Sequence, residues 1–195
     1  MSEPLQLDPR HTALVLIDLQ QGILQRGTAP HAAAHVLARG VKLASAFRAA
    51  AAPVVLVRVS FAPTGVDALQ QPVDSPAATT RPPGWDVLSP ELTTDERDIH
   101  ITKHQWGAFY GTELDLQLRR RGIRTIVIGG IATNFGVEST ARDAYEHGYA
   151  LVFVEDAMAG LTAEAHEFAC TTIFPRIGRV RSTRVVLDAL GARTA

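Results

Sequence analysis

Ile123-Arg124-Thr125-Ile126-Val127-Ile128-Gly129-Gly130-Ile131-Ala132-Thr133-Asn134-Phe135-Gly136-Val137-Glu138-Ser139-Thr140-Ala141-Arg142-Asp143-Ala144 reads as a strand that turns into a helix. Residues 123–128 are apolar and β-branched over a strand's length, and Val137 to His147 carries Ala141, Ala144 and Tyr145 on one helical face. The turn between them is rich in small residues, so backbone can approach a ligand closely. The unpaired N–H groups of the helix's first turn point at whatever lies above the strand. The pattern predicts a site for a carboxylate or an oxyanion.

The composition bounds what surrounds this turn. With 195 residues, 46% apolar and 20% charged, the chain can bury a sizeable core, and residues 1–195 are expected to form one domain. A formal net charge of −1 supplies no basic field for nucleic acid and no polybasic surface for anionic lipid, which leaves a small-molecule substrate. The single cysteine, Cys170, excludes an internal disulfide framework and a cysteine-built metal site, and it fits a reducing compartment. Residues 1–10 carry acids and prolines rather than a basic start and an apolar core, and no apolar run approaches the ~20 residues that span a bilayer. A cytoplasmic protein without a membrane segment is expected.

Working outward, Thr12 to Ile17 is a nearly continuous apolar run, suited to a strand buried on both faces of a parallel sheet, and it ends in Asp18. A carboxylate there sits where open α/β sheets place their ligands, although a turn-capping role explains it equally well. Ala33 to Ala51 reads as an amphipathic helix with Val36, Leu37, Val41, Leu43, Ala44 and Phe47 on its apolar face. His31 and His35, four apart near its start, lack a third metal ligand in sequence and read as solvated. Pro53 to Val59 is a second buried strand.

Six of the eleven prolines then fall between Pro63 and Pro90, within a segment, 61–95, of little periodicity. A connection this long is expected to be a functional lid or a subunit contact, with Gln70, Gln71, Arg81 and Trp85 as its ligand-facing candidates. Asp98 to Lys103 alternates as a third strand and ends at the same edge as Asp18. Opposite charges at the ends of neighbouring parallel strands orient each other and shift each other's pKa. Trp106 and Phe109 follow, as an apolar wall or as core.

Thr112 is placed as the N-cap of a helix that points Leu114 and Leu118 at the sheet and stops at Gly122. Tyr149 to Val154 is a fifth strand closed by Glu155 and Asp156. Ala163 to Phe174 is a helix in which Cys170 behaves as a small buried residue. Gly178 to Arg181 is a sixth strand, and Thr183 to Leu190 a last helix.

Three features stand together: an apolar strand then Asp18; a strand then Lys103 followed by Trp106-Gly107-Ala108-Phe109; and Gly129 to Ala141. In this order and spacing they resemble the isochorismatase-like (cysteine hydrolase) family over roughly Leu14 to Val186. The resemblance implies a three-layer α/β/α sandwich with a six-stranded parallel sheet, Rossmann-like in kind, in a family of nicotinamidases, carbamoylsarcosine amidases, ureidoacrylate hydrolases and isochorismatases. It implies catalytic roles for Asp18 and Lys103, a cis peptide near Ile131-Ala132, and a homo-oligomer, dimer or tetramer.

The amidases' cysteine falls on Gly136, so the usual covalent route is missing. Isochorismatases proper also carry glycine there, since a vinyl ether yields to an acid and water. They carry Tyr where this chain has Ala132, whereas Ala132-Thr133-Asn134 looks like the amidase branch. The nicotinamidase metal motif is absent after the second strand, where Arg58-Val59-Ser60 stands, and neither a metal nor another cofactor is expected.

The first expectation is therefore a small-molecule hydrolase with Asp18 as general acid or base, Lys103 holding it, and Trp106, Phe109, Ile131, Ala132, Asn134 and Gly136 binding substrate. A non-catalytic binder that lost its chemistry with the cysteine is the alternative. A water-using amidase lacks a metal to activate its water.

Overall fold

The computed structural model describes residues 4–76, 81–92 and 95–191; residues 77–80 and 93–94 of the proline-rich segment, and both ends of the expected domain, lie outside the described residues. Along the chain run β1 (Thr12–Ile17), α1 (Gln21–Leu24), α2 (Ala33–Ala49), β2 (Val54–Val59), β3 (Ile99–Lys103), α3 (Leu114–Arg120) and β4 (Thr125–Ile131). A π-helical turn, Thr133–Val137, leads into α4 (Glu138–Glu146). Then come β5 (Ala150–Ala159), α5 (Ala163–Phe168), a second π-turn (Ala169–Ile173), α6 (Phe174–Ile177), β6 (Arg179–Arg181) and α7 (Thr183–Gly191).

The strands form one parallel sheet in the order β3-β2-β1-β4-β5-β6. All six residues of β1 are buried, because their side chains alternate between two covered faces. Ala13, Val15 and Ile17 join a core with Leu114, Leu118, Ala141, Ala144 and Phe174, while Leu14 and Leu16 join another with Val36, Leu43, Phe47 and Val186. Helices α2 and α7 thus cover one face and α3, α4 and α6 the other. Each fully buried Leu or Phe contributes roughly 1.5–3 kcal/mol, so these layers rather than the loops hold the sheet. This is the expected three-layer α/β/α sandwich.

The chain proceeds from β1 toward β2 on one side and reaches β4 on the other, so the strand order reverses at β1. That reversal opens a crevice at the carboxyl ends of β1 and β4. Gly130 makes the close pairing there possible. Its φ is +125°, and a Cβ on it would run into the carbonyl oxygen of Ile17.

Several expectations need correcting. β5 does not close at Glu155 and Asp156: Ile128 pairs with Phe153 and Gly130 with Met158, so residues 154–157 bulge and the strand resumes to Ala159. Asp156 is held in that bulge by the Thr183 N–H (2.6 Å) and hydroxyl (2.8 Å) and by Arg39. Tyr145 is exposed, its α4 position lying outside the stripe of Ala141 and Ala144. Thr112 stands one residue before the cap of α3, but its hydroxyl still accepts the Leu114 N–H at 3.1 Å. The helix expected over 163–174 is a longer run interrupted by the π-turn and ended at Gly178.

Candidate active site

Asp18 leaves β1 with φ +54°, a left-handed conformation that a short polar side chain tolerates better than most. Its N–H donates to Val57 O at 2.9 Å, which continues the β1–β2 ladder by one bond and fixes where the carboxylate starts. Lys103 ends β3. One strand, β2, separates the two, a span of roughly 10 Å at ~4.8 Å per strand, and only a long side chain can cross it. The Lys103 ammonium does so and donates to Asp18 Oδ2 at 2.8 Å and to Gln105 O at 3.1 Å.

Both side chains are almost dry, with 8% of Asp18 and 2% of Lys103 exposed. Burial pushes the Asp18 carboxyl up to about 6, overriding the opposite pull of the Lys103 ammonium. Among the described residues, Asp18 Oδ1 is buried with no hydrogen-bond partner. The Val59 N–H nearby is already given to Gln20 Oε1 at 2.9 Å. One carboxylate oxygen is therefore tied to the lysine and the other is left for something else.

Gly136 lies against this pair. A Cβ placed on it would sit 3.2 Å from Asp18 Oδ2 and 3.0 Å from Ile17 Cγ2, so the absence of a side chain is what makes room beside the carboxylate. The turn around it is held by its own backbone: Ala132 O accepts the N–H groups of Phe135 (3.1 Å) and Val137 (3.3 Å), and the Thr140 hydroxyl donates to Gly136 O at 2.7 Å. The Ile131-Ala132 peptide is cis. Ile131's side chain packs in the α2-side core, so only its backbone faces the turn. Asn134 Oδ1, like Asp18 Oδ1, is buried without a hydrogen-bond partner among the described residues, an amide acceptor in the same turn.

Trp106 also belongs to this corner. Its carbonyl is 3.5 Å from the Cβ position built on Gly136, and its ring, 62% exposed, meets Phe135 edge-on at 4.8 Å. With Leu69, Tyr110 and Arg142 it lines a groove of 570 Å³. Phe109 does not join them. It is buried against His147 (5.1 Å) and Tyr149 (6.0 Å), at the far end of α4, because the chain folds back between Gly107 and Gly111. Phe135, which precedes Gly136, is the aromatic that partners Trp106 instead.

Of the loop candidates, Arg81 and Trp85 stand together: the Arg81 guanidinium packs against the rings of both Phe61 (4.5 Å) and Trp85 (4.9 Å), which stack on each other at 6.0 Å. Gln70 donates to Gly65 O within the loop, and Gln71 is exposed. Sequence reasoning passed over Gln20, which is fully buried and binds Val59 O (3.0 Å) and Trp85 O (3.3 Å) through its amide. It thereby clasps the tail of β1 to β2 and to the proline-rich segment. Its only signal was its position two residues past Asp18.

Cys170 is buried in the second π-turn beside His166, and burial pushes its thiol up to about 12, so it is an inert thiol. His31 departs from the solvated reading: its Nε2 lies 3.0 Å from Glu155 Oε1, whereas His35 is exposed. Among the described residues, His31, Glu155 and His166 form the one group with metal-ligating chemistry, and it does not include Asp18.

A family model described as the isochorismatase domain matches residues 12–185. YecD of Escherichia coli O157:H7, named as an uncharacterized isochorismatase family protein, is 52% identical over 187 residues, covering 95% of this chain and all of that protein. Ureidoacrylate amidohydrolase RutB of Methylobacterium radiotolerans is 33% identical over 97% of this chain and 83% of its own length. Among solved structures, an isochorismatase family protein from Burkholderia thailandensis superposes with a TM-score of 0.92 at 47% identity, over 97% of this chain and 99% of that one.

Proposed function

Since the chain belongs to the isochorismatase family and is a hydrolase of that family, we propose that it hydrolyses a small molecule without a covalent thiol intermediate. Asp18 exchanges the proton, Lys103 holds and polarises it, and the backbone of Ile131, Ala132 and Gly136 faces the developing charge. The observation that carries this reading is the buried Asp18–Lys103 pair with its free oxygen, set against a residue that has no side chain. Cys170 lies beside His166 in another element, away from Asp18.

A vinyl ether suits this equipment. Protonated Asp18 delivers its proton to the terminal vinyl carbon, whose π electrons form the new C–H bond and leave an oxocarbenium ion. Water adds to that cation and returns a proton to Asp18. The resulting hemiketal collapses to a carbonyl compound and an alcohol, so neither a nucleophile nor a redox partner is consumed. Trp106, Phe135 and Asn134 Oδ1 would supply the apolar wall and a polar contact to the substrate. The same reading takes residues 1–195 as one cytoplasmic domain that assembles with copies of itself.

The test is a substrate panel of isochorismate, ureidoacrylate, nicotinamide and simple carbamoyl compounds, run with the wild type and with Asp18→Ala. Turnover of the vinyl ether that falls by about 10²-fold or more in the variant is expected. Amide cleavage alone would replace vinyl-ether chemistry with the activity that names RutB, and no turnover of any compound would leave a binding protein.

A further inference from the structure

We infer that His31, Glu155 and His166 form a binding site for a zinc-class divalent cation that ties the loop before α2 to the β5 bulge and to α5. Their ligating atoms converge within 4.8 Å of one another. His31 Nε2 lies 3.0 Å and His166 Nε2 3.7 Å from the same carboxylate oxygen, Glu155 Oε1. A tetrahedral site with bonds of ~2.0–2.1 Å has ligand-to-ligand edges of about 3.3 Å, so the two separations bracket what a bound cation requires. Two imidazoles and one carboxylate select zinc and its neighbours over calcium or magnesium, which prefer all-oxygen shells.

The surroundings suit this use. His166 Nδ1 is 2.9 Å from the Thr133 hydroxyl, and with the ring proton there the Nε2 lone pair faces Glu155, the outer-sphere arrangement that orients a histidine ligand. His31 and Glu155 stay 24% and 38% exposed, which leaves an entry path and a fourth position for water. The Cys170 sulfur is 3.6 Å from the same His166 nitrogen but is not one of the three converging ligands. Loop, bulge and helix each gain one bond to the cation. Thr133 opens the π-turn that carries Gly136, so the site braces the turn from outside without touching Asp18.

The full-length chain, stripped with a chelator and dialysed, is titrated calorimetrically with zinc chloride, and separately with cobalt(II) followed by visible absorption. One zinc per chain is expected, with a Kd on the order of 1 μM or tighter. His31→Ala and Glu155→Gln should each weaken it at least roughly tenfold and abolish the intense bands of low-coordinate cobalt. Both residues are partly exposed, so the variants should fold, which far-ultraviolet circular dichroism verifies. The thermal midpoint of the wild type should rise with zinc while those of the variants stay put. No saturable binding to the wild type would reduce the trio to a hydrogen-bonded ion-pair cluster. Equal affinity in wild type and variants would mark an adventitious surface site. Either result overturns the inference.

Discussion

Asp18 carries a charge that its neighbours only half satisfy: Lys103 holds Oδ2, and Oδ1 has no hydrogen-bond partner among the described residues. With its carboxyl pushed up to about 6, a useful fraction is protonated in mildly acidic solution. If Asp18 delivers a proton to substrate, kcat/KM should be flat at low pH and fall with unit slope as pH rises through about 6, and a pH–rate profile reads this directly. A rate that instead climbs through the same range would make Asp18 a base. The stability sign agrees. Because the folded value lies above the ordinary 3.8, this group's contribution is full below pH 3.8 and is lost as pH rises through about 6, so ionised Asp18 is the costly form. Gly136 supplies the second residue-scale prediction. In Gly136→Cys, Ile17 and Asp18 must give by a few tenths of an ångström, at about 1–3 kcal/mol of stability by denaturant titration. The new thiol then stands at a helical turn near the Lys103–Asp18 pair and should be alkylated at neutral pH faster than a thiol of pKa ~8.5, with Cys170 silent as the internal control. An ordinary alkylation rate would remove the anion-stabilising turn from the proposal.

The elements around the site are held by bonds to segments distant in sequence. Residues 19–22 pair with 85–89: Gln21 N donates to Val87 O, Gly22 N to Trp85 O and Ser89 N to Leu19 O, so the second half of the proline-rich segment docks beside the tail of β1. Gln20 fastens that docking from beneath. Gln20→Ala strands the half-buried Val59 N–H and C=O and should cost about 1–3 kcal/mol in urea unfolding. If Trp85 and Arg81 meet substrate, KM should rise more than kcat falls. An unchanged KM would make this segment a structural strap only. Thr140 works in the same way on the other side. It donates to Gly136 O and accepts the Ala108 N–H at 3.1 Å, linking the turn to the stretch that follows Lys103.

On the scale of the whole molecule, Trp106, Tyr110 and Leu69 are large apolar side chains left in the open around one groove, an arrangement that commonly marks an interface. Light scattering at micromolar concentration is expected to give two or four times the chain mass, and a monomer would overturn the homo-oligomer. No helix among the described residues is long and apolar enough to cross a membrane. By itself the sequence determined the layered fold, the strand ends that carry Asp18 and Lys103, and the strand-to-helix turn that carries Gly136. Burial on two faces writes itself as short apolar runs, and a strand-to-helix turn writes itself as a change of period over adjacent residues. Only the tertiary structure decided what meets at those ends. The strand order put β2 between Asp18 and Lys103 and so required the lysine's reach, folded Phe109 into the core, buried Gln20, and brought His31 to Glu155 across 124 residues of chain. Contacts of that range depend on how layers stack, and no local pattern of side chains records it.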